Sequence, residues 1–113
     1  MPRVFSSVDA EQGRELVAGG AVLLDIREDN EWAAGHAPVA IHAAMSTIQQ
    51  HPLPFDESAE VVVICRSGQR SQSVTAWLES NGIKAVNFEG GMHAWVSAGG
   101  DIIDAAGEPG IVI

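Results

Sequence analysis

A chain of 113 residues is long enough for one hydrophobic core and too short for two. Its hydrophobic content of 46%, with five Pro and twelve Gly, is that of an ordinary globular domain rather than a disordered one, and a net charge of −9 argues against a nucleic acid or an anionic membrane as partner. One cysteine makes no internal disulfide, the start "MPRVFSSVDAEQ" lacks the basic-then-apolar plan of a secretory leader, and no apolar run reaches membrane-spanning length, so the cytoplasm is the expected compartment.

In chain order, "RVFSSV" (3–8) predicts a short strand. Asp9 is placed to cap a helix over "DAEQGRELVAGG" (9–20), which stops at Gly19-Gly20. The apolar run "AVLLD" (21–25) has strand length and the composition of a strand buried on both faces. "EDNEWAAGH" (28–36) reads as a brief helix closing at Gly35. Beyond a turn at Pro38, "VAIHA" reads as a short strand and "MSTIQQH" (45–51) as one or two helical turns. "HPLPFDESAE" (51–60) is a surface loop, because neither of its prolines suits an element interior.

"EVVVIC" (60–65) is the clearest strand. "SQSVTAWLESNG" (71–82) then carries Val74, Trp77 and Leu78 at helical spacing, with Gly82 as its stop. "IKAVNF" (83–88) is a fifth strand, "EGG" a tight turn and "MHAWVSAG" (92–99) a last helix. The tail, 100–113, reads either as an extra strand packing Ile111-Val112-Ile113 or as a frayed end. Strands alternating with helices imply an α/β fold: one parallel sheet with helices on both faces. There is no internal repeat and no domain linker.

Positive charge is scarce, and its placement is therefore informative. The six Lys and Arg are Arg3, Arg14, Arg27, Arg66, Arg70 and Lys84, and two of them follow the single cysteine within five residues in "CRSGQRS". In open α/β sheets ligands sit beyond the carboxyl ends of the strands. Cys65 ends the clearest strand, and Asp25 and Arg27 end or follow another, which puts both groups on one rim. A thiol is a poor nucleophile until ionised, and its free pKa of about 8.5 falls beside cations or at a helix N-terminus.

The loop offers both devices. Gly68 permits the torsions that turn successive N–H groups inward, and the helix from about Ser71 points its positive end at the sulfur. Arg66 and Arg70 add forked donors for an oxyanion. Arg66, Ser67, Gly68, Gln69, Arg70 and Ser71 are thus the expected substrate cradle, with Cys65 as nucleophile at its floor. A buried cysteine is often only a small hydrophobe. Its position at a polar boundary, before Arg-Ser-Gly, favours the nucleophile.

These residues bring a family into view. The sequence resembles the single-domain rhodaneses, or thiosulfate sulfurtransferases, up to about Gly99, so that 1–99 is the expected domain. "LLDIREDNEWAAGHAPVAIHA" is similar to the family's Asp-x-Arg, acidic-aromatic and Gly-His-x-Pro block, "CRSGQRS" to its six-residue active loop, and "FEGGMHAW" to its Gly-Gly and Trp segment. Val39 stands where the family prefers Gly, and the usual Gly-x-Pro after Trp95 is missing.

The resemblance implies a central five-stranded parallel sheet and a persulfide carrier. Cys65 would take the outer sulfur of a small anionic donor and pass it to a thiol or cyanide acceptor, with loop amides from Arg66 to Ser71 holding the persulfide. The two arginines resemble those of thiosulfate-using loops, which makes thiosulfate the expected laboratory donor. No cofactor is expected.

Rival readings remain in view. A Cys-dependent phosphatase wants His before the cysteine and five residues between Cys and Arg; here Ile64 precedes Cys65 and four residues intervene. A non-catalytic interaction module or a sulfur relay is the alternative of a different class, against which stands the retained cysteine. Asp25 and Arg27, with Glu31, either steer substrate or form an internal ion pair bracing the rim, the second being favoured. His36 is expected to fix a turn rather than act as a base. His42, His51 and His93 show no metal-ligand spacing, so no metal is expected. Trp32, Trp77 and Trp95 are expected to fill the core and pocket wall. The apolar end of the tail makes a homodimer an expectation to test.

Overall fold

Val61 and Val63 pack in one apolar layer while Val62 and Ile64 pack in another. Side chains of a strand alternate between faces, so a strand that is apolar throughout must be covered on both sides. That requirement organises the fold. In the computed structural model, which describes residues 5–113, the elements are β1 (Ser7–Val8), α1 (Ala10–Ala18), β2 (Val22–Asp25), α2 (Asp29–Ala34), β3 (Ile41–His42), a 3-10 turn (Ile48–Gln50), β4 (Glu60–Ile64), α3 (Arg70–Ser80), β5 (Lys84–Phe88) and α4 (Gly91–Ser97). The sheet order is β1-β5-β4-β2-β3, and every pairing is parallel.

On one face Leu24, Val61, Val63 and Ala85 meet Val74 and Leu78 of α3 and Ile48 of the 3-10 turn. On the other, Leu23, Val62, Ile64 and Phe88 meet Met92 and Trp95 of α4 and Leu16 and Val17 of α1. This is the α/β architecture with helices on both faces that the alternation predicts. Asp9 caps α1 by accepting the Gln12 N–H at 2.8 Å, and the Gln12 side chain returns the bond to the Asp9 N–H. Gly82, at φ +81°, follows α3 in the left-handed conformation that ends helices.

Two expectations are corrected. The strand expected over 3–8 is formed only at Ser7–Val8 within the described residues, its first two positions lying outside them. The tail is neither an extra strand of the sheet nor a frayed end. It folds back on α2: the Ala105 and Ile111 N–H groups donate to the Ala33 and Ala34 carbonyls, which a helix end otherwise leaves open. Ile103 exchanges two backbone bonds with His36, and Val112 packs on the α4 side of the core. Gly35 has no side chain because none fits; a Cβ there would lie 2.3 Å from the Ile111 carbonyl oxygen. Ile111 and Ile113 themselves remain exposed.

No helix of the described residues is long and apolar enough to cross a membrane.

Candidate active site

Cys65 directly follows β4 and is 1% exposed, its side chain continuing the Val61–Val63 face toward α3. The chain then turns through Arg66–Gln69 into α3. Three donors or acceptors converge on the sulfur: the Gly68 N–H at 3.1 Å, the Ser71 N–H at 3.4 Å and the Ser71 hydroxyl at 3.2 Å. The amides of Ser67, Gln69 and Arg70 find no acceptor among the described residues. Two N–H groups directed at one sulfur at a helix start, as those of Gly68 and Ser71 are, form a receptor for negative charge.

The loop holds this shape because of what lies behind it. The first turn of α4 donates to the carbonyls of the cysteine loop, Met92 N–H to Cys65 O at 2.8 Å and His93 N–H to Arg66 O at 3.2 Å. Those bonds fix the peptide units that carry the Arg66 and Ser67 N–H groups, next to the Gly68 and Ser71 N–H groups that reach the sulfur. Such close approach needs glycine. At Gly91 (φ +58°) a Cβ would sit 2.4 Å from Cys65 O, and at Gly68 (φ +98°) it would sit 2.9 Å from Gly90 N. The "EGG" turn therefore belongs to the site, which the sequence reading took only as a connection.

A second contribution missed in the sequence is Asn87 of β5. It is 1% exposed, and its Oδ1 accepts the Ser71 hydroxyl. Since Ser71 has one hydrogen, the thiol S–H is the donor to Ser71 in this arrangement. Once the thiol proton is lost, the Ser71 hydroxyl can donate to the sulfur only by giving up its bond to Asn87 Oδ1.

The charged residues divide sharply. Asp25 and Arg27 lie beside the end of β4, Asp25 in register with Ile64, and both are fully buried. Arg27 donates to Asp25 through Nε at 2.9 Å and Nη2 at 2.7 Å, and Nη2 also reaches the Gly35 carbonyl at 2.7 Å. Nη1 has no partner. They bind each other beneath the rim, out of reach of a substrate. Glu31 does not join them. Its two oxygens take the Arg70 guanidinium end-on, at 2.7 and 2.8 Å. The Arg70 bonds hold the Glu31 carboxyl below its usual range against the opposing effect of burial. Glu31 likewise raises Arg70, and the charge that Cys65 carries when ionised adds to the effect.

Arg66 is exposed and takes part in none of the ion pairs among the described residues. Ser67 and Gln69 are also exposed at the loop surface.

His36 donates Nδ1–H to the Trp32 carbonyl at 2.8 Å, which pins the turn after α2. Trp32 is neither core nor pocket wall in the simple sense: its ring lies between those of His36 and His42, at 3.7 and 4.7 Å. Trp95 packs in the core against Phe88, and Trp77 lies half-buried at the edge of the other layer. No group of three metal-ligating side chains comes together among the described residues. A groove of about 540 Å³ beside α3 is lined by Met45, Ile48, Val74 and Trp77 but not by Cys65.

A family model described as a rhodanese-like domain matches residues 9–98. YtwF of Bacillus subtilis is 48% identical over 73 residues, 65% of this chain and 71% of its own length. The thiosulfate sulfurtransferase GlpE of Pseudomonas entomophila is 35% identical over 94 residues, 82% of this chain and 86% of its own. Among solved structures, a rhodanese-like domain protein from Staphylococcus aureus superposes with a TM-score of 0.73 at 36% identity, covering 80% of this chain and 90% of that one.

Proposed function

The chain belongs to the rhodanese-like family, and from that premise we propose that it is a sulfurtransferase that carries sulfane sulfur as a persulfide on Cys65, with thiosulfate as a competent donor. The observation that carries the reading is the sulfur's position. Cys65 Sγ lies within hydrogen-bond reach of two loop amides, and three further amides of the same loop have no acceptor among the described residues.

In the first half-reaction the Cys65 thiolate attacks the outer sulfur of thiosulfate. A new S–S bond forms to the cysteine, the donor's S–S bond breaks, and sulfite leaves with the bonding pair. The product is Cys65–S–S⁻, and total charge is conserved. In the second, a thiophile such as cyanide or a thiolate takes the terminal sulfur and returns Cys65 as thiolate. Two covalent half-reactions give ping-pong kinetics.

The terminal sulfur of the persulfide lies one bond beyond Sγ, where the open amides of Ser67, Gln69 and Arg70 are available to it. The unit carrying the Ser67 amide is held before the substrate arrives, by the α4 bond to Arg66 O. Exposed Arg66 supplies attraction for the anionic donor at the mouth.

The test is direct. Incubation with thiosulfate is expected to add one sulfur atom to the mass of Cys65 and to release sulfite, and cyanide to remove that sulfur as thiocyanate. Cys65→Ser is expected to do neither. A wild-type protein that gains no sulfur from thiosulfate or from any persulfide donor defeats the proposal and leaves an interaction module of the same fold.

A further inference from the structure

Of the two cations that flank Cys65, one arrives at the site already engaged. Arg70 is bound by Glu31 through both carboxylate oxygens. The end-on arrangement uses one hydrogen on each Nη and leaves Nε–H and the outer edge of the guanidinium free. Arg70 can therefore still orient a ligand, while its charge is cancelled by a neighbour.

That neighbour is not a mobile surface carboxylate. Glu31 sits in the first turn of α2, where Oε1 also accepts the Glu28 N–H at 3.1 Å. The far end of α2 is tied to the tail by the Ala105 and Ile111 amides. The Glu31 side chain is only 14% exposed, against 36% for Arg70. A carboxylate held at both ends of its helix and mostly out of water keeps much of its charge effect on the adjacent site.

We infer that Glu31 sets the charge selectivity of the donor site, favouring sulfane-sulfur donors with a single negative charge over dianions. The inference rests on the sulfur-transfer reading and deepens it. Around an ionised Cys65 the two arginine charges are offset by the thiolate and Glu31, and the Glu28 carboxylate, which also acts on Arg70, adds a further negative charge, so an approaching dianion meets no net attraction. Removing the Glu31 charge makes the site more positive by one unit, and a dianion profits from it twice as much as a monoanion. The matching substrate class is organic thiosulfonates and persulfide monoanions. Thiosulfate, a dianion with the same transferable sulfur, is the handicapped member of the series.

The experiment compares thiosulfate with methanethiosulfonate as donor and cyanide as acceptor, at fixed ionic strength, in the wild type, Glu31→Gln and Glu31→Asp. Glu31→Gln removes the charge and keeps the length. It is expected to raise kcat/KM for thiosulfate about fivefold through KM, and the thiosulfonate value by about twofold. Glu31→Asp keeps the charge but is too short for both contacts, so its donor ratio is expected to stay near that of the wild type. Added salt is expected to compress the difference between wild type and Glu31→Gln.

An unchanged donor ratio in Glu31→Gln overturns the inference. So does the same change in Glu31→Asp, which would mark a geometric role, or an equal fall with both donors. Persulfide mass on wild-type Cys65 separates the outcomes: a loaded cysteine with an unchanged ratio refutes charge selectivity alone, whereas an unloaded one refutes sulfur transfer itself.

Discussion

Two arginine–carboxylate pairs stand near the same cysteine, and they differ in nearly everything except chemistry. Arg27 and Asp25 are fully buried and bind each other by three side-chain contacts of 3.2 Å or less, with the Gly35 carbonyl completing the set. Arg70 and Glu31 meet end-on at the rim, partly in water. In the buried pair the charges are withdrawn from any ligand, and the pair joins the end of β2 to the turn after α2. In the rim pair the charges are close enough to the sulfur for Cys65 to affect Arg70. One pair holds the frame on which the loop sits; the other tunes the field that a donor meets.

The largest expected effect comes from breaking the buried pair. Arg27→Met leaves Asp25 charged and uncompensated in the core, and is expected to lower unfolding free energy by about 3–5 kcal/mol in urea titration. That is a large part of the total for a domain of this size.

Arg70→Met sharpens the contrast from the other side. Its effect on the same urea titration is expected to stay below about 1 kcal/mol, because a partly exposed pair is weak. Its kcat/KM with thiosulfate is expected to fall about tenfold, since a charge-assisted donor is lost and Glu31 is left facing the donor. Equal stability losses at Arg27 and Arg70 would erase the distinction drawn between the two pairs.

The smallest effect is a dependence on pH. Glu31 has a folded-state pKa below its ordinary 4.5, so its contribution to stability is present above pH 4.5 and lost as pH falls through the lower, folded value. The difference in urea midpoint between wild type and Glu31→Gln is expected to be constant from neutral pH down to about 5 and to shrink below 4.5. A difference that grows on acidification would show that the rim pair is assigned the wrong sign.

Much of the fold was legible because its signals are local. "EVVVIC" is too short and too β-branched for a helix, and five strand segments alternating with helical ones leave few arrangements other than a parallel sheet. Asp9 and Gln12 announce the start of α1 by a bond between near neighbours. Cys65 stood out as the candidate nucleophile because it ends a strand in front of a glycine-containing polar loop. What escaped were contacts between residues far apart in the chain. Nothing near Arg70 signals that its guanidinium is taken by Glu31, 39 positions earlier. Asn87 reads as one more residue of a strand until β5 is placed where its amide meets Ser71. The tail read as a strand or a loose end because its partners, the open carbonyls of α2, exist only once that helix has formed.

The sequence by itself determined the alternation of strands and helices, the single thiol and the cations beside it, since each depends on residue types within one turn or one strand. Only the tertiary structure decided which cation is free and which is held, and which amides face the sulfur. Those outcomes depend on distances between α2, α3 and α4, set by how the helices pack against the two faces of the sheet. Charge and hydrogen bonding act over a few ångströms of space, and sequence separation has no bearing on that distance until the chain has folded.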